Sequence, residues 1–323
     1  MTAAPHSSAA RPLIVRIRNW VGDVVLGLPA LQLLENHGYQ LKLVARGKWA
    51  PSLLAGYDWP VAVQPAGWRS KVARLRALRD QCASQDPGFT QRDNALLLPA
   101  SFSSALEMRL AGLRAVGYAQ EGRSPLLRRT VAHTAQGEHA LTSYWRLACE
   151  FLQLQLDPPG EIGLLTAAAD QAGADAMLAA HGLRPGFVVI CPFAGGLFEK
   201  QDKTWPAFAD FTRELLQLGR DVVACPGPGE EPIISGAHPG VKLLAGVGLG
   251  TYGGLLRRAG LVVSNDTGPA HLAAAVGAPV LSVLGPTKPE QWAPWGSRVE
   301  VIRHWPHWPS VDVVRQRVQA LLG

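Results

Sequence analysis

Apolar residues recur along the chain in two alternating patterns, short β-branched runs and longer stretches with helical spacing. The first run, 13–17, is typical of a buried strand, and the residues at 22–38 repeat their apolar positions every three or four places. Further strands are predicted at 41–45, 61–63 and 95–98, and further helices at 72–82, 103–113 and 138–154. Strands that alternate with helices predict a parallel sheet covered on both faces.

A second alternating series follows the breaker sequence Asp-Pro-Pro-Gly at 157–160, where we place a domain boundary. Its predicted strands are 187–191, 221–225, 241–244, 261–264 and 280–284, and its predicted helices are 205–218, 252–259 and 269–276. A chain of 323 residues also exceeds the roughly 250 to 300 that one core usually serves. We therefore expect an α/β protein of two Rossmann-like domains, with ligands bound at the carboxyl ends of the strands in an interdomain cleft.

Composition and charge narrow the class of protein. Hydrophobic residues make up 47% and charged residues 17%, which favours a globular chain over a disordered one. Residues 1–160 carry 18 Lys and Arg against 11 Asp and Glu, a balance of +7, and the remainder carries 13 against 14, a balance of −1. The basic first half indicates an anionic partner, and nucleic acid, acidic lipid and acidic sugars all fit this balance.

The spacing of the four cysteines disfavours a metal site, and the length of the longest apolar run disfavours a membrane-spanning helix. Cys82, Cys149, Cys191 and Cys225 lie far apart without zinc-site spacing, so we expect buried thiols in a cytoplasmic protein and no metal. The apolar run at 24–34 is interrupted by Pro29 and is far shorter than the ~20 residues that cross a bilayer. No signal-peptide pattern precedes it, so any membrane contact is expected to be peripheral.

The loop after the first predicted strand holds a candidate catalytic carboxylate. Gly22 would let the backbone approach a ligand, and Asp23 at the helix start would stay ionised beside the positive helix end. A carboxylate at this place can remove a proton from a hydroxyl group. The alternative is that Asp23 only caps the helix.

Two loops of the second half are candidate phosphate sites. Ala194 and Gly195 follow the strand at 187–191. Lys203 precedes Thr204, which we expect to cap the next helix, and the Lys203 ammonium would then stand beside the free backbone amides of that helix. The alternative for Lys203 is an ordinary exposed loop lysine. The stretch 264–271 leads from a strand directly into a helix, and its candidate ligand-binding residues are Asp266, Thr267, Gly268 and His271. It could equally be a well-capped core helix with a buried histidine.

A turn at 226–231 supplies two more acidic candidates, Glu230 and Glu231. A carboxylate after a strand end can accept hydrogen bonds from ribose hydroxyls, and we expect one of the two to do so. Otherwise they stabilise the start of the next helix.

Together these motifs resemble the family 9 glycosyltransferases, the heptosyltransferases of lipopolysaccharide core assembly. The resemblance rests on Gly-Asp-Val-Val-Leu at 22–26, Lys-Thr-Trp-Pro at 203–206, Asp-Thr-Gly-Pro-Ala-His at 266–271 and Gly-Pro-Thr at 285–287. It implies a GT-B fold with an acceptor-binding domain at 1–158, a nucleotide-sugar donor domain at 159–305 and a last helix, within 306–323, that crosses back to the first domain.

The resemblance also implies an activity, the inverting and metal-independent transfer of heptose from ADP-heptose to the lipopolysaccharide inner core. Asp23 would be the general base and Lys203 would bind the donor phosphates, while Gly22, Ala194, Gly195, Asp266, Thr267, Gly268, His271 and one of Glu230 and Glu231 would hold the donor. The implied partners are the donor and an acidic lipid-linked core oligosaccharide, with no cofactor and no nucleic acid. The implied location is the cytoplasm, with peripheral contact at the cytoplasmic face of the inner membrane.

Basic residues of the first half are the candidate acceptor ligands under this resemblance. Arg69, Lys71 and Arg74 follow one another on a predicted helix face, and Arg123 lies in a later loop. The alternative is a solvated helix face without a ligand.

Other interpretations stay open from the residues alone. A transferase or epimerase acting on another nucleotide-sugar fits the same architecture, because a fold does not name its substrate. A Rossmann dehydrogenase is disfavoured since no G-x-G-x-x-G follows the first strand. A non-catalytic module that binds anions or glycans through the basic half would leave the phosphate motifs of the second half unexplained.

Overall fold

The computed structural model describes residues 11–133 and 137–323, which form two compact units. The first unit comprises the described residues up to Pro51 and those from Asp58 to Pro158. The second comprises Ser52–Tyr57 and Pro159–Gly323, so a short segment from the first half of the chain belongs to the second unit. Within that unit the Leu165 amide donates to the Tyr57 hydroxyl at 3.1 Å, and Gly56 lies so close to Leu165 that an added Cβ would stand 2.2 Å from its carbonyl oxygen.

The first unit is built on a parallel six-stranded sheet of order β3-β2-β1-β4-β5-β6. Its strands are β1 (Arg11–Arg16), β2 (Tyr39–Ala45), β3 (Val61–Val63), β4 (Ala95–Leu97), β5 (Ala115–Tyr118) and β6 (Arg129–Val131). The helices along this part of the chain are α1 (Val21–Leu26), α2 (Leu28–Asn36), α3 (Ala50–Leu53), α4 (Trp68–Gln85), α5 (Phe102–Leu110) and α6 (Ala140–Leu152).

The second unit repeats this plan in a sheet of order β12-β11-β10-β7-β8-β9, again parallel. Its strands are β7 (Val188–Cys191), β8 (Val222–Ala224), β9 (Lys242–Leu243), β10 (Leu261–Ser264), β11 (Val280–Leu284) and β12 (Val299–Arg303). The helices are α7 (Ala168–Ala180), α8 (Phe208–Leu216), α9 (Glu231–Ala237), α10 (Leu249–Arg258), α11 (Gly268–Ala275), α12 (Pro289–Trp292) and α13 (Val311–Leu322).

Each unit has a core formed by its central strands and the helices on both faces. In β1 every residue after Arg11 is buried, the burial expected of a strand covered from both sides. In the second unit the rings of Trp205, Phe208 and Phe211 pack edge to face or tilted, with centroids 5.5 to 5.9 Å apart. The last helix, α13, buries Val314 and Val318 in this same core. That residues 306–323 also cross back to the first unit stays a prediction.

The observed helices differ from the predicted ones at two places that matter for the candidate site. The single helix predicted at 22–38 is two helices, α1 and α2, because Pro29 has no backbone N–H to continue the first one. The Gly27 amide instead donates to Asp23 and Val24, which closes α1 after less than two turns. The helix predicted at 205–218 begins later, at Phe208, with Ala207 as its N-cap, so the prediction that Thr204 caps it is wrong.

Several elements carry too weak a pattern for the sequence to predict them. Strands β5 and β6 are short. Strand β5 contains a glycine, and two of the three residues of β6 are polar. Helix α7 is mostly alanine and buries only Ala174 and Leu178. Strand β12 lies at the sheet edge, and its five residues, two of which are charged, are all half-buried. In each case pairing or packing with distant residues stabilises the element.

The strand order places a crevice at the centre of each sheet. From β1 the chain proceeds to β2 and β3 toward one edge of the sheet, and from β4 it proceeds to β5 and β6 toward the other edge. In the second sheet β7 and β10 occupy the corresponding central positions. Loops that leave such a reversal point diverge and open a binding crevice at the carboxyl ends of the strands. The candidate loops at 17–23, 192–204 and 265–267 follow three of these central strands, β1, β7 and β10.

No helix within the described ranges has both the length and the apolar character that a bilayer span requires.

Candidate active site

Asp23 lies in the first turn of α1, immediately after the loop that leaves β1. Its side chain is largely buried, and Oδ1 accepts hydrogen bonds from the Tyr144 hydroxyl at 2.6 Å and from Arg18 Nε at 3.1 Å. The N-cap position belongs to Trp20, so the alternative that Asp23 only caps the helix does not describe its geometry. Among the described residues, the groups that hold the carboxylate are the side chains of Tyr144 and Arg18.

Arg16 fixes the backbone of the loop that precedes Asp23. Its buried guanidinium donates to the carbonyls of Ile17 at 3.1 Å and Val44 at 3.0 Å, and to Asn19 Oδ1 at 3.2 Å. Burial lowers the pKa of Arg16 to about 10, and the group is still a cation at neutral pH. Gly22, predicted to lie against the donor, is a buried residue of the same α1 turn.

The predicted acceptor ligands of the first unit differ strongly in exposure. Arg69 and Arg74 are exposed on α4, and the Arg69 guanidinium lies 5.5 Å from the centroid of the Trp68 ring. Lys71 forms an ion pair with Glu107 of α5 at 3.4 Å. Their role toward an acceptor stays a prediction.

Arg123 is the exception, because its side chain is fully buried. Nε donates to the Tyr118 carbonyl at 2.8 Å and Nη1 donates to the Pro99 carbonyl, so the residue joins the ends of β4 and β5. Burial lowers the pKa of Arg123 to about 10, with nearby Arg18 adding to the effect. An acceptor could be reached by this group only through its field or after a rearrangement, and its predicted contact stays a prediction.

Three loops of the second unit meet at Asp266. Its Oδ2 accepts a hydrogen bond from the Thr287 hydroxyl at 2.7 Å and forms an ion pair with Lys203 Nζ at 3.1 Å. The loops follow β10, β11 and β7, in that order, and the side chains of Lys203 and Asp266 are only 14% and 12% exposed. Lys203 is therefore not an ordinary exposed lysine, and it does not directly precede α8, which begins at Phe208.

Lys203 lies instead beside the start of α11. Thr267 is the N-cap of α11 with extended backbone, φ −150° and ψ 158°, and its side chain makes no capping hydrogen bond. Gly268 is the first helical residue, Pro269 follows it, and His271 is buried one turn into the helix. An ammonium beside an uncapped helix N-terminus is an arrangement that can bind a phosphate group.

Asn265 joins the two strands at the reversal point of the second sheet. Its fully buried side chain accepts from the Trp205 amide at 3.0 Å and donates to the Pro192 carbonyl at 2.6 Å. Both partners belong to the segment between β7 and α8, the segment that also carries Lys203. Asn265 thereby sets where this segment lies relative to Asp266.

The two acidic candidates of the 226–231 turn differ in their surroundings. Glu230 Oε2 accepts a hydrogen bond from the Gly227 amide at 2.7 Å, and its charge contributes to the raised pKa of the buried Cys191 at the end of β7. Glu231 is exposed in the first turn of α9. Glu230 is thus the carboxylate that is fixed toward the carboxyl end of the sheet.

Ala194 and Gly195 begin a projecting loop. Ala194 is half-buried and Gly195 is exposed. Beyond them Phe198 and Gln201 pair through two backbone hydrogen bonds of 3.0 and 2.8 Å across a tight turn.

The cysteines are thiols, and burial raises the pKa of Cys191 to about 12. No cluster of three or more His, Cys, Asp or Glu side chains within the described residues is arranged to hold a metal ion.

Tyr144 completes the candidate residues of the first unit, and Thr287 and Asn265 complete those of the second; sequence analysis did not assign them ligand-positioning roles. Tyr144 lies 121 residues from Asp23 in the chain, inside a helix pattern without a motif of its own. Thr287 stands in the Gly-Pro-Thr signature and Asn265 beside Asp266, so their positions gave a local signal although their contacts did not.

A fold of two doubly wound units, with a held carboxylate in one and a lysine beside a helix N-terminus in the other, is an arrangement that suits group transfer from a phosphate-activated donor. A model of glycosyltransferase family 9 (heptosyltransferase) matches residues 88–321. The chain belongs to glycosyltransferase family 9. The prediction of a glycosyltransferase enzyme of this family is therefore confirmed.

One curated relative and two solved proteins illustrate the similarity. Lipopolysaccharide heptosyltransferase 3 of Escherichia coli is 33% identical over 132 residues, which is 38% of this chain and 38% of the relative's length. The family 9 glycosyltransferase of Veillonella parvula DSM 2008 superimposes with a TM-score of 0.81 at 17% identity, over 97% of each chain. E. coli heptosyltransferase WaaC with ADP gives 0.74 at 22% identity, over 96% of this chain and 99% of that one, and it has also been solved with ADP-2-deoxy-2-fluoro heptose. These matches confirm the predicted α/β GT-B fold.

The Asn265 contacts generate a stability prediction. Asn265→Ala leaves the Trp205 amide and the Pro192 carbonyl buried without partners, and each such group costs ~1–3 kcal/mol. We expect the free energy of unfolding to fall by about 2–4 kcal/mol, measured by urea titration with tryptophan fluorescence. Asn36→Ala, at an exposed position, is the control. Equal midpoints for the two variants would show that the bonds of Asn265 contribute nothing.

Proposed function

We propose that this protein transfers heptose from ADP-heptose to the inner core of lipopolysaccharide, with inversion at the anomeric carbon and without a metal ion. The observation that carries the proposal is a buried carboxylate, Asp23, held through one oxygen at the carboxyl end of β1 in a member of family 9. The donor is supported by the solved E. coli WaaC, which contains ADP in one structure and an ADP-heptose analogue in another.

Asp23 acts as the general base. Its Oδ2, the oxygen that neither Tyr144 nor Arg18 occupies, takes the proton of the acceptor hydroxyl as that oxygen attacks the anomeric carbon. The bond from that carbon to the diphosphate breaks in the same displacement, so the configuration inverts. A single base suffices because a diphosphate leaves as an anion and needs no proton from a carboxylic acid.

Lys203 and the start of α11 receive the charge that develops on the leaving diphosphate. The ammonium is anchored by Asp266, which is itself held by Thr287, so its position is set before the donor binds. A fixed cation and free backbone amides stabilise developing phosphate charge without reorganisation. This provision of positive charge is the reason that the proposed reaction needs no metal ion.

The remaining donor contacts are assigned to the loops that surround Lys203. Glu230 is the glutamate that contacts the nucleoside, because its carboxylate is fixed by the Gly227 amide while Glu231 is exposed. In this proposal 159–305 bind the donor, 1–158 bind the acidic core oligosaccharide and 306–323 return to the first domain.

The protein works at the cytoplasmic face of the inner membrane, where its lipid-linked acceptor is anchored. One face of α5 supports a peripheral contact, because Phe102, Leu106 and Leu110 are 44%, 36% and 42% exposed at helical spacing. Arg109 is exposed on the same face, and the Arg76 guanidinium lies at its end, donating to the Leu110 carbonyl at 3.0 and 3.3 Å. An apolar stripe with cations beside it fits a bilayer with anionic lipids.

The catalytic proposal is tested by incubating the protein with ADP-heptose and defined truncated core acceptors, following both ADP and the glycosylated product. We expect Asp23→Ala to lower kcat about 10² to 10⁴-fold, the range of general-base catalysis, while ADP affinity stays near that of the parent. Asp58→Ala, which removes an exposed carboxylate of the same unit, is the control. Full turnover by the Asp23 variant would remove this residue from the mechanism, and no ADP release by the parent with any acceptor would reject heptosyl transfer.

Lys203→Met keeps the length of the side chain and removes its charge. Since hydrogen bonds to charged groups contribute ~1.5–3 kcal/mol, we expect the Kd for ADP to rise roughly 10- to 150-fold by titration calorimetry. Lys242→Met removes another ion-paired lysine of the same unit, bound to Asp221 at 2.7 Å, and should leave the Kd unchanged. If both variants bind ADP as tightly as the parent, Lys203 does not contact the phosphates.

The membrane proposal is tested by co-sedimentation with vesicles of phosphatidylethanolamine and phosphatidylglycerol. We expect the double substitution Leu106→Ser and Leu110→Ser to reduce the vesicle partition coefficient about tenfold, because each change removes apolar surface that would enter the interface. Binding of the parent should also weaken with added salt. Leu156→Ser, at a leucine that is 50% exposed elsewhere in the same unit, is the control. Equal partition of all three proteins would exclude this face as the contact.

A further inference from the structure

Asp23 receives two donors on the same oxygen. The Tyr144 hydroxyl and Arg18 Nε both bind Oδ1, at 2.6 and 3.1 Å. The first donor comes from α6 and the second from the loop that leads into α1, the helix that carries Asp23. One carboxylate oxygen is thereby fixed from two directions, and the rotation of the carboxyl group about its last bond is restricted.

The surroundings keep both donors in the form that can donate. Burial raises the pKa of Tyr144 well above its usual value, and the charge of Asp23 raises it further, so the hydroxyl keeps its proton. Burial opposes the charge of Arg18, but the interactions with Tyr144 and Asp23 outweigh it and raise the pKa of Arg18. Asp23 therefore faces a neutral hydroxyl donor and a permanent cation.

Helix α6 places the tyrosine firmly. It packs against α1 and α2, its N-terminus is capped by His139, whose Nδ1 accepts from the Leu141 amide at 3.2 Å, and the Tyr144 side chain is only 6% exposed. A buried hydroxyl on a packed helix has little freedom to leave its partner. The apolar ring fills space that a phenylalanine would fill equally well, so the hydroxyl can be removed alone.

We propose that Tyr144 is a positioning residue for the catalytic base, which together with Arg18 holds Oδ1 of Asp23 and leaves Oδ2 to take the acceptor proton. This inference rests on the proposed function, because it presupposes that Asp23 is the base. Tyr144 keeps its own proton throughout, and the proton that moves is the one that passes from the acceptor hydroxyl to Oδ2. Tyr144 acts through Asp23 and touches neither donor nor acceptor.

The proposal has a consequence for the pH dependence of turnover. A hydrogen bond donated to a carboxylate favours its charged form over its protonated form. A general base is inactive when it is protonated. The acidic limb of the kcat/KM profile should consequently move to higher pH in Tyr144→Phe, the direction that loss of one such hydrogen bond gives.

The experiment compares pH profiles of ADP release for the parent, Tyr144→Phe and Tyr118→Phe. Tyr118 is the matched control, because its buried hydroxyl donates to the Ser143 carbonyl at 2.6 Å and makes no contact with Asp23. We expect Tyr144→Phe to lower kcat roughly 10- to 100-fold with the donor KM within about twofold, and to shift the acidic limb. Tyr118→Phe should leave both the limb and kcat near those of the parent.

A second variant, Arg18→Gln, removes the other donor to Oδ1 and should move the acidic limb in the same direction. Thermal unfolding of each variant separates loss of fold from loss of positioning. The inference is overturned if the folded Tyr144 and Arg18 variants keep the parent profile while Asp23→Ala is inactive. If Asp23→Ala is itself fully active, the base assignment has failed, and the two failures are thus told apart.

Discussion

The reversal of strand order at the centre of each parallel sheet is the constraint on which the candidate residues of both units depend. Between β1 and β4, and again between β7 and β10, neighbouring strands send their following segments to opposite sides, so the loops part at the carboxyl ends. Asp23, Lys203 and Asp266 all follow these strands. Buried strands of mostly β-branched and leucine residues form this scaffold, and the polar chemistry is confined to the places where the strands end.

The same device fixes the polar groups in both units. A hydroxyl and a cation share one carboxylate oxygen, Tyr144 and Arg18 on Asp23 Oδ1, and Thr287 and Lys203 on Asp266 Oδ2. The purpose we assign is opposite in the two cases. In the first unit the held group is the carboxylate, which is to react, whereas in the second the carboxylate is the anchor and the lysine is the group that meets the ligand.

The sequence predicts candidate residues that lie in a recognisable pattern within one loop. It does not predict contacts between side chains that are distant in the chain. Asp23, Lys203 and Asp266 were predicted because each follows a strand in a recognisable signature, and the α/β alternation predicted both sheets. Tyr144 could not be found, because only folding brings α6 to Asp23. Arg123 was counted among the candidate acceptor ligands, although its buried side chain donates to the carbonyls of Pro99 and Tyr118. The end of α1 at Gly27 is set by Pro29, and the start of α8 at Phe208 is set by the aromatic core in which this residue packs. The spacing of apolar residues predicts neither boundary.

The segment Ser52–Tyr57 has a consequence for how the protein can be divided. It belongs to the second unit although it precedes most of the first in the chain, and Gly56 and Tyr57 fit against Leu165 with no room for a larger residue at the glycine. A polypeptide that starts at Pro159 would lack this piece and expose the surface that it covers. The second unit is therefore discontinuous in the gene, and a fragment meant to fold alone would have to carry Ser52–Tyr57 through an added linker.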